Sequence, residues 1–331
     1  MTAAESAATG HPPPPGDGDW RLFRGDGAPR SVTFPPAPPW RRLHHEEPNG
    51  PRTARPRPYL IDSDDADIVN AALHLRRPLL VTGHPGTGKS SLAHAIAHEL
   101  ALGPVLQWPV NSRSTLQDAL YHYDAIGRLR EANLSRDKDG TEAGIGQYVR
   151  LGPLGNALLT HERPRVLLID ELDKGDVDLP NDLLTVFEEG EFTIPELSRL
   201  PEEHASIHVR TDDPDSPALV VRGRVRCREF PVVVITSNGE REFPPAFLRR
   251  CVRLDLPEPD EERLRDIVVA HLGLEALHDI DDLVEEFLGR RAPGELATDQ
   301  LLNAVFLRKG GIDLDAGRLL DAVLHQLGGA V

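Results

Sequence analysis

An apolar run, RPLLVT (77–82), stops at GHPGTGKSS (83–91), and the chain resumes as LAHAIAHEL (92–100) with helical periodicity. No other feature constrains the fold as tightly as these glycines at a strand-to-helix junction. The stretch fits G-x-x-x-x-G-K-[ST] at Gly83, Gly88, Lys89 and Ser90. Gly86 and Gly88 let the backbone curl, so that several N–H groups point inward. That nest, with the positive end of the following helix, is an anion site sized for a di- or triphosphate. The candidate binding residues are Gly83, His84, Pro85, Gly86, Thr87, Gly88, Lys89, Ser90 and Ser91. Lys89 supplies a point charge for the β- and γ-phosphates, and the Ser90 hydroxyl suits a Mg²⁺ ion.

Gripping a phosphate is not cutting it. Hydrolysis asks for a second, carboxylate-bearing strand, and VLLIDELDK (166–174) supplies one. Asp170 ends the apolar run and can hold Mg²⁺ through water. Glu171 points elsewhere and can polarise the attacking water. A third run, VVVITSN, ends at Asn238; if its strand lies between the other two, the Asn238 amide reaches the γ-phosphate or the water. After it, AFLRRC puts Arg249 and Arg250 at the end of a short helix. A planar, permanently charged guanidinium suits the charge of a transferred phosphate, often from a neighbouring subunit. The guanine-reading pattern N/T-K-x-D is absent, which favours ATP.

The organisation has three parts. Residues 1–57 are rich in proline (HPPPPG, PPAPPW) and read as a largely flexible segment. Its aromatics Trp20, Phe23 and Trp40 could dock on a partner or on the chain's own body. Residues 58–257 alternate strand-like and helix-like segments, which predicts an α/β core with a buried parallel sheet. Residues 258–331 show helical stripes, such as Leu264, Ile267, Val268 and Leu272, and predict a four-helix all-α unit. The formal charge is −16, so a nucleic-acid motor is disfavoured. Two isolated cysteines, Cys227 and Cys251, and the lack of an apolar run long enough to span a bilayer suit a cytoplasmic protein that keeps clear of membranes.

Taken in order, GHPGTGKSS, LLIDELDK, ITSN and FLRRC, followed by helices, resemble the AAA+ ATPases. Within them the chain is most similar to the MoxR and dynein-related branch. NSRSTLQDALYHYDAIGRLREANL through LGPLGNAL resembles that branch too, as does FTIPEL ahead of a predicted hairpin, ASIHVRTDDPDSPALVVRG. The resemblance implies a P-loop NTPase three-layer sandwich with sheet order 5-1-4-3-2 and a C-terminal helical lid. It implies a homo-oligomeric ring, usually a hexamer, with Arg250 (Arg249 in reserve) completing the neighbour's site. It implies a protein client, commonly one with a von Willebrand factor A domain. It also implies an insertion around 114–148 projecting toward the pore or face of the ring. Where the lid of the family often carries a nucleotide-sensing arginine, this chain has Thr298, Asp299 and Gln300, and none is given that role.

Other features have plainer readings. His94 and His98 stand at metal-binding spacing but lack a third ligand, so they read as a solvated helix face. Tyr121 and Tyr123 read as core residues. Cys251 reads as a buried small residue, and DSDDADI and EPDEERL as helix starts. Two functions fit the site: a remodelling ATPase with steady turnover, or a slow ATP-gated signalling or conflict-system switch that oligomerises on nucleotide binding.

Overall fold

A computed structural model of the chain describes residues 20–23, 29, 31–41, 59–135, 144–211, 217–278, 280–290, 296–314 and 318–325. Most of the proline-rich segment 1–57 therefore lies outside the described residues.

Five strands carry the architecture. They are β1 (Leu79–Thr82), β2 (Leu106–Pro109), β3 (Val166–Asp170), β4 (Val232–Ser237) and β5 (Val252–Asp255). All pair in parallel, in the order β5-β1-β4-β3-β2. This is the 5-1-4-3-2 order implied above, and it places the Asn238 strand between the other two. A parallel sheet needs cover on both faces, and successive side chains divide between two cores accordingly. Leu80, Leu167, Ile169, Val233 and Ile235 join one core. Leu79, Val81, Val166, Leu168 and Val234 join the other.

The second core is closed by two helices, Ser63–Leu75 and Lys89–Glu99. Their buried faces are Val69 and Ala72, and Leu92, Ala93, Ile96 and Ala97. Asp62 precedes the first, with Asp64 and Asp65 in its first turn, so DSDDADI is a helix start. The first core is closed by the helices Pro153–Ala157 and Leu179–Glu189. Tyr121 is buried in it, stacked on Phe192 and donating from its hydroxyl to Glu196 at 2.9 Å. Tyr123 packs beside it and accepts from Arg128 at 3.0 Å. Beside this core an antiparallel sheet runs in the order Glu191–Thr193, Arg224–Arg226, Ala218–Val221, Ser206–Val209. The last two strands form the expected hairpin, whose tip (212–216) lies outside the described residues. Much of the insertion read from REANLSRDKDGTEAG does too.

Beyond β5 the described chain is helical: Glu261–Leu272, Asp281–Arg290, Thr298–Lys309 and Leu319–Val323, with a short 3-10 turn at Leu274–Leu277. The Asp260 carboxylate accepts the Arg263 N–H at 2.9 Å and caps the first of these helices. Leu264, Val268, Val284, Phe287, Leu301 and Val305 form a core separate from those of the sheet.

Trp40 docks on this helical unit. Its indole N–H donates to Asn303 Oδ1 at 3.1 Å, and its ring meets Phe306 edge-on at 5.8 Å between centroids. Of the two destinations open to the tail aromatics, this one lies on the chain's own body; Trp20 and Phe23 are exposed. Trp40→Ala is expected to lower stability by about 1–3 kcal/mol in denaturant unfolding, through lost aromatic packing and the lost donor. Trp40→Phe should recover most of that loss.

Candidate functional site

The glycine loop follows β1 and is shaped by residues that reach φ values closed to other side chains. Gly86 and Gly88 sit at +81° and +92°, in the region glycine occupies without strain. Gly88 caps the helix Lys89–Glu99, so the positive end of that helix opens into the loop. Lys89 is buried, and its ammonium donates to Gly83 O at 2.6 Å and His84 O at 2.8 Å. Burial pulls its pKa below the usual lysine value, while Asp173, Asp170 and Glu171 push it back up. Thr87 Oγ1 donates to His84 O at 3.0 Å and tightens the same turn.

The carboxylates of β3 stand against this loop. Asp170 Oδ1 accepts the Ser90 hydroxyl at 2.7 Å. It also accepts the hydroxyl of Thr236, on β4, at 2.7 Å. Thr236 Oγ1 in turn accepts the Glu171 N–H at 2.8 Å. Glu171 itself is left-handed (φ 58°), which turns its side chain off the line of the strand. Its carboxylate meets the Lys174 ammonium at 2.8 Å and raises the Lys174 pKa by that hydrogen bond. Asn238 follows β4 at the same sheet edge, half-buried, with its N–H donated to Asp173 Oδ2 at 2.9 Å. The loop, Asp170, Glu171 and Asn238 are thus brought together.

Arg249 and Arg250 are not part of that group. They precede β5, whose first residue, Val252, is in register with Leu79 at the start of β1. They therefore sit at the opposite edge of the sheet, four residues of strand away, on the order of 13 Å. Arg249 is exposed and its carbonyl accepts from Arg77 at 3.1 Å. Arg250 pairs with Glu188 and donates to Ala246 O at 3.0 Å.

The helical unit touches the loop. A Cβ on Gly86 would lie 2.6 Å from Ala297 Cβ and 2.8 Å from the Thr298 nitrogen, at the start of the helix Thr298–Lys309. Arg263 of that unit pairs with Asp62 at 3.1 Å. Tyr59 also packs against the loop, its ring 3.3 Å from where a Cβ on Gly88 would stand. Burial pushes the Tyr59 phenol up to about 12, with Arg263 pulling it down.

Four contributors escaped the sequence reading: Tyr59, Asp173, Lys174 and Thr236. The only trace of Asp173 was a third acidic residue in DELDK. Thr236 was indistinguishable from any other β-branched strand residue. Of the plainer readings, the helix starts and the core place of Tyr121 agree with the structure, and His98 is exposed, whereas His94 is half-buried with its Nε2 2.8 Å from Gln107 Nε2. The Cys251 thiol is pushed up to about 12 by burial, and the cation offsetting that shift is Arg77. Among the described residues no group of three or more His, Cys, Asp and Glu could hold a metal ion, and no helix is long and apolar enough to cross a membrane.

A parallel 5-1-4-3-2 sheet, a glycine loop between its first strand and a helix, and an all-helical unit beyond the last strand define a P-loop NTPase of the AAA+ kind. A family model described as AAA domain (dynein-related subfamily) matches residues 78–251, and the chain belongs to that family of ATPases. Chaperone protein ClpB of Chlamydia pneumoniae is 27% identical over 183 residues, 53% of this chain and 19% of ClpB. The chain thus spans about a fifth of the length of that curated relative. Among solved structures, NtrX from Brucella abortus in complex with ATP is similar at 15% identity and a TM-score of 0.43, over 82% of this chain and 57% of the NtrX chain. The FIGL-1 AAA domain in complex with ADP is similar at 17% identity and a TM-score of 0.35, over 74% of this chain and 64% of that one.

Thr236 is 1% exposed and both donates and accepts, so Thr236→Val keeps the shape while leaving the Glu171 N–H without its acceptor and Asp170 Oδ1 with Ser90 as its one remaining hydroxyl donor. The expected cost is about 1–3 kcal/mol in denaturant unfolding. Ser237→Ala, on the same strand but off the Asp170 network, should cost less.

Proposed function

We propose that this ATPase cuts the terminal phosphate of ATP at the Gly83–Ser91 loop and uses the cycle to remodel or assemble a protein client within a homo-oligomeric, MoxR-like ring. The observation that carries the reading is the Asp170 oxygen shared by the hydroxyls of Ser90 and Thr236. It ties the phosphate loop to two neighbouring strand tips, one of which continues into Asn238.

A Mg²⁺ ion fits the residues present. A serine hydroxyl and a carboxylate 2.7 Å apart at the start of the helix that follows the loop are hard oxygen donors of the type that ion takes. Ser90 and Asp170 would hold it, and when bound it supplies neutralisation of phosphate charge. The remaining work falls to the chain. The N–H groups of the loop and Lys89 bind the phosphates; for Lys89 this means exchanging the carbonyls of Gly83 and His84 for phosphate oxygens. Glu171 polarises the attacking water, which requires it to leave Lys174. The Asn238 amide orients that water or the γ-phosphate.

Arg250 is assigned to the site of a neighbouring copy, with Arg249 as the reserve. Their place at the far edge of the sheet supports this, because neither side chain serves its own phosphate loop from there. The contact between Gly86 and the start of the helix Thr298–Lys309 supports a route by which nucleotide state alters the lid. A client with a von Willebrand factor A domain is the partner that the resemblance to the MoxR branch puts first. The cytoplasm is the compartment that the two unpaired cysteines suit.

Glu171→Gln should leave ATP bound while phosphate release falls by roughly 10²- to 10⁴-fold. Normal release would mean that another residue handles the water. Arg250→Ala and Lys89→Ala subunits should each be inactive alone, and a mixture should regain part of the turnover if the arginine works across an interface. The absence of rescue at every ratio would remove the ring arrangement while leaving the ATP site standing.

A further inference from the structure

Asp173 lies three residues beyond the end of the β3 apolar run and is 3% exposed, yet neither phosphate binding nor the sheet accounts for it. Its Oδ2 accepts two N–H groups, from Asn238 at 2.9 Å and from Glu240 at 3.1 Å. Between them the Gly239 N–H donates to Ser237 Oγ at 3.0 Å. Gly239 is left-handed (φ 78°), which bends the turn so that the N–H groups on either side of it converge on one oxygen. The three successive amides after β4 are therefore fixed, two of them by a single carboxylate. Among the described residues the Asn238 side chain has no hydrogen bond of its own, so its aim is set by this backbone.

The other oxygen of Asp173 is the unusual one. Oδ1 is buried and has no hydrogen-bond partner among the described residues. An unpaired carboxylate oxygen out of water is costly, and such groups are rare unless a donor arrives in another state.

We propose that Asp173 is a positioning residue for hydrolysis: its buried carboxylate holds the Asn238 and Glu240 N–H groups and so fixes the turn that carries the Asn238 amide. The inference rests on the ATP-cutting reading above and goes beyond it by naming what aims Asn238. It acts through Asn238, so its loss should disturb the chemical step more than nucleotide binding.

Asp173→Asn tests this directly. The amide oxygen of the variant can still accept both N–H groups, but the charge and the second acceptor are gone. In steady-state phosphate release, kcat is expected to fall tenfold or more, with KM and the Kd of a fluorescent ADP analogue within about threefold of the wild type. Combined with Asn238→Ala, the variant should fall no further than Asn238→Ala alone, because the two act in one chain. An unchanged kcat, or a double variant whose loss is the product of the two single losses, overturns the proposal. A second measurement uses the wild-type chain. Amide hydrogen exchange at 238–240 should slow at least threefold when a non-hydrolysable ATP analogue binds, and an unchanged rate counts equally against it. A wild type that releases no phosphate removes both readings, whereas a wild type that turns over beside an equally active Asp173→Asn variant removes only this one.

Discussion

One carboxylate oxygen organises this molecule. Asp170 Oδ1 receives the hydroxyl of Ser90 from the loop helix and that of Thr236 from the neighbouring strand. Each donor alone would be an ordinary polar contact. Together they tie the N-terminus of the helix Lys89–Glu99 to the tips of β3 and β4, and through Thr236 they fix the Glu171 N–H as well. A shared, ionised acceptor of this kind is strong because charge reinforces each of its hydrogen bonds and one donor, Thr236, is buried. The phosphate loop then has a rigid floor, and the residues around it differ in how freely they move. Among the described residues Lys89 donates to two backbone carbonyls. Glu171 is held only by an exposed lysine.

The loop is also a seam between two bodies. Gly86 abuts Ala297 and Thr298 so closely that no side chain fits between them. Tyr59 also packs against it, and Asp62 reaches across to Arg263. The segment ahead of the core extends this pattern, with Trp40 seated on the helices that carry Asn303 and Phe306. Anything that expands or contracts the loop is therefore felt at the helical unit through hard contacts of small residues. Packed interfaces of this type move between discrete arrangements instead of deforming smoothly.

The parts of the site that the sequence exposed share one property: their chemistry is local. A loop that must turn sharply twice needs glycine at those turns, and the pattern around Lys89 follows from nearest-neighbour geometry. The adjacent pair Asp170 and Glu171 is legible for the same reason, since a strand end is a short-range feature. Thr236 and Asp173 were hidden because their work is long-range. A threonine in a strand and an aspartate in a turn are unremarkable until folding sets them beside Asp170 and Asn238, each more than 60 residues away. Trp40 is the same case on a larger scale, separated from Asn303 by 263 residues.

By itself, then, the sequence determined the alternation of buried strands and helices, the glycine turn after β1 and the change to an all-helical end. These follow from side-chain period and from backbone sterics, which act within a few residues. Only the tertiary structure decided that Thr236 and Ser90 share one oxygen of Asp170, that Asp173 holds the Asn238 turn, and that Arg249 and Arg250 stand at the end of the sheet away from their own loop. Those facts depend on strand order and on which buried polar groups find one another, and both are settled when the whole chain closes around its cores.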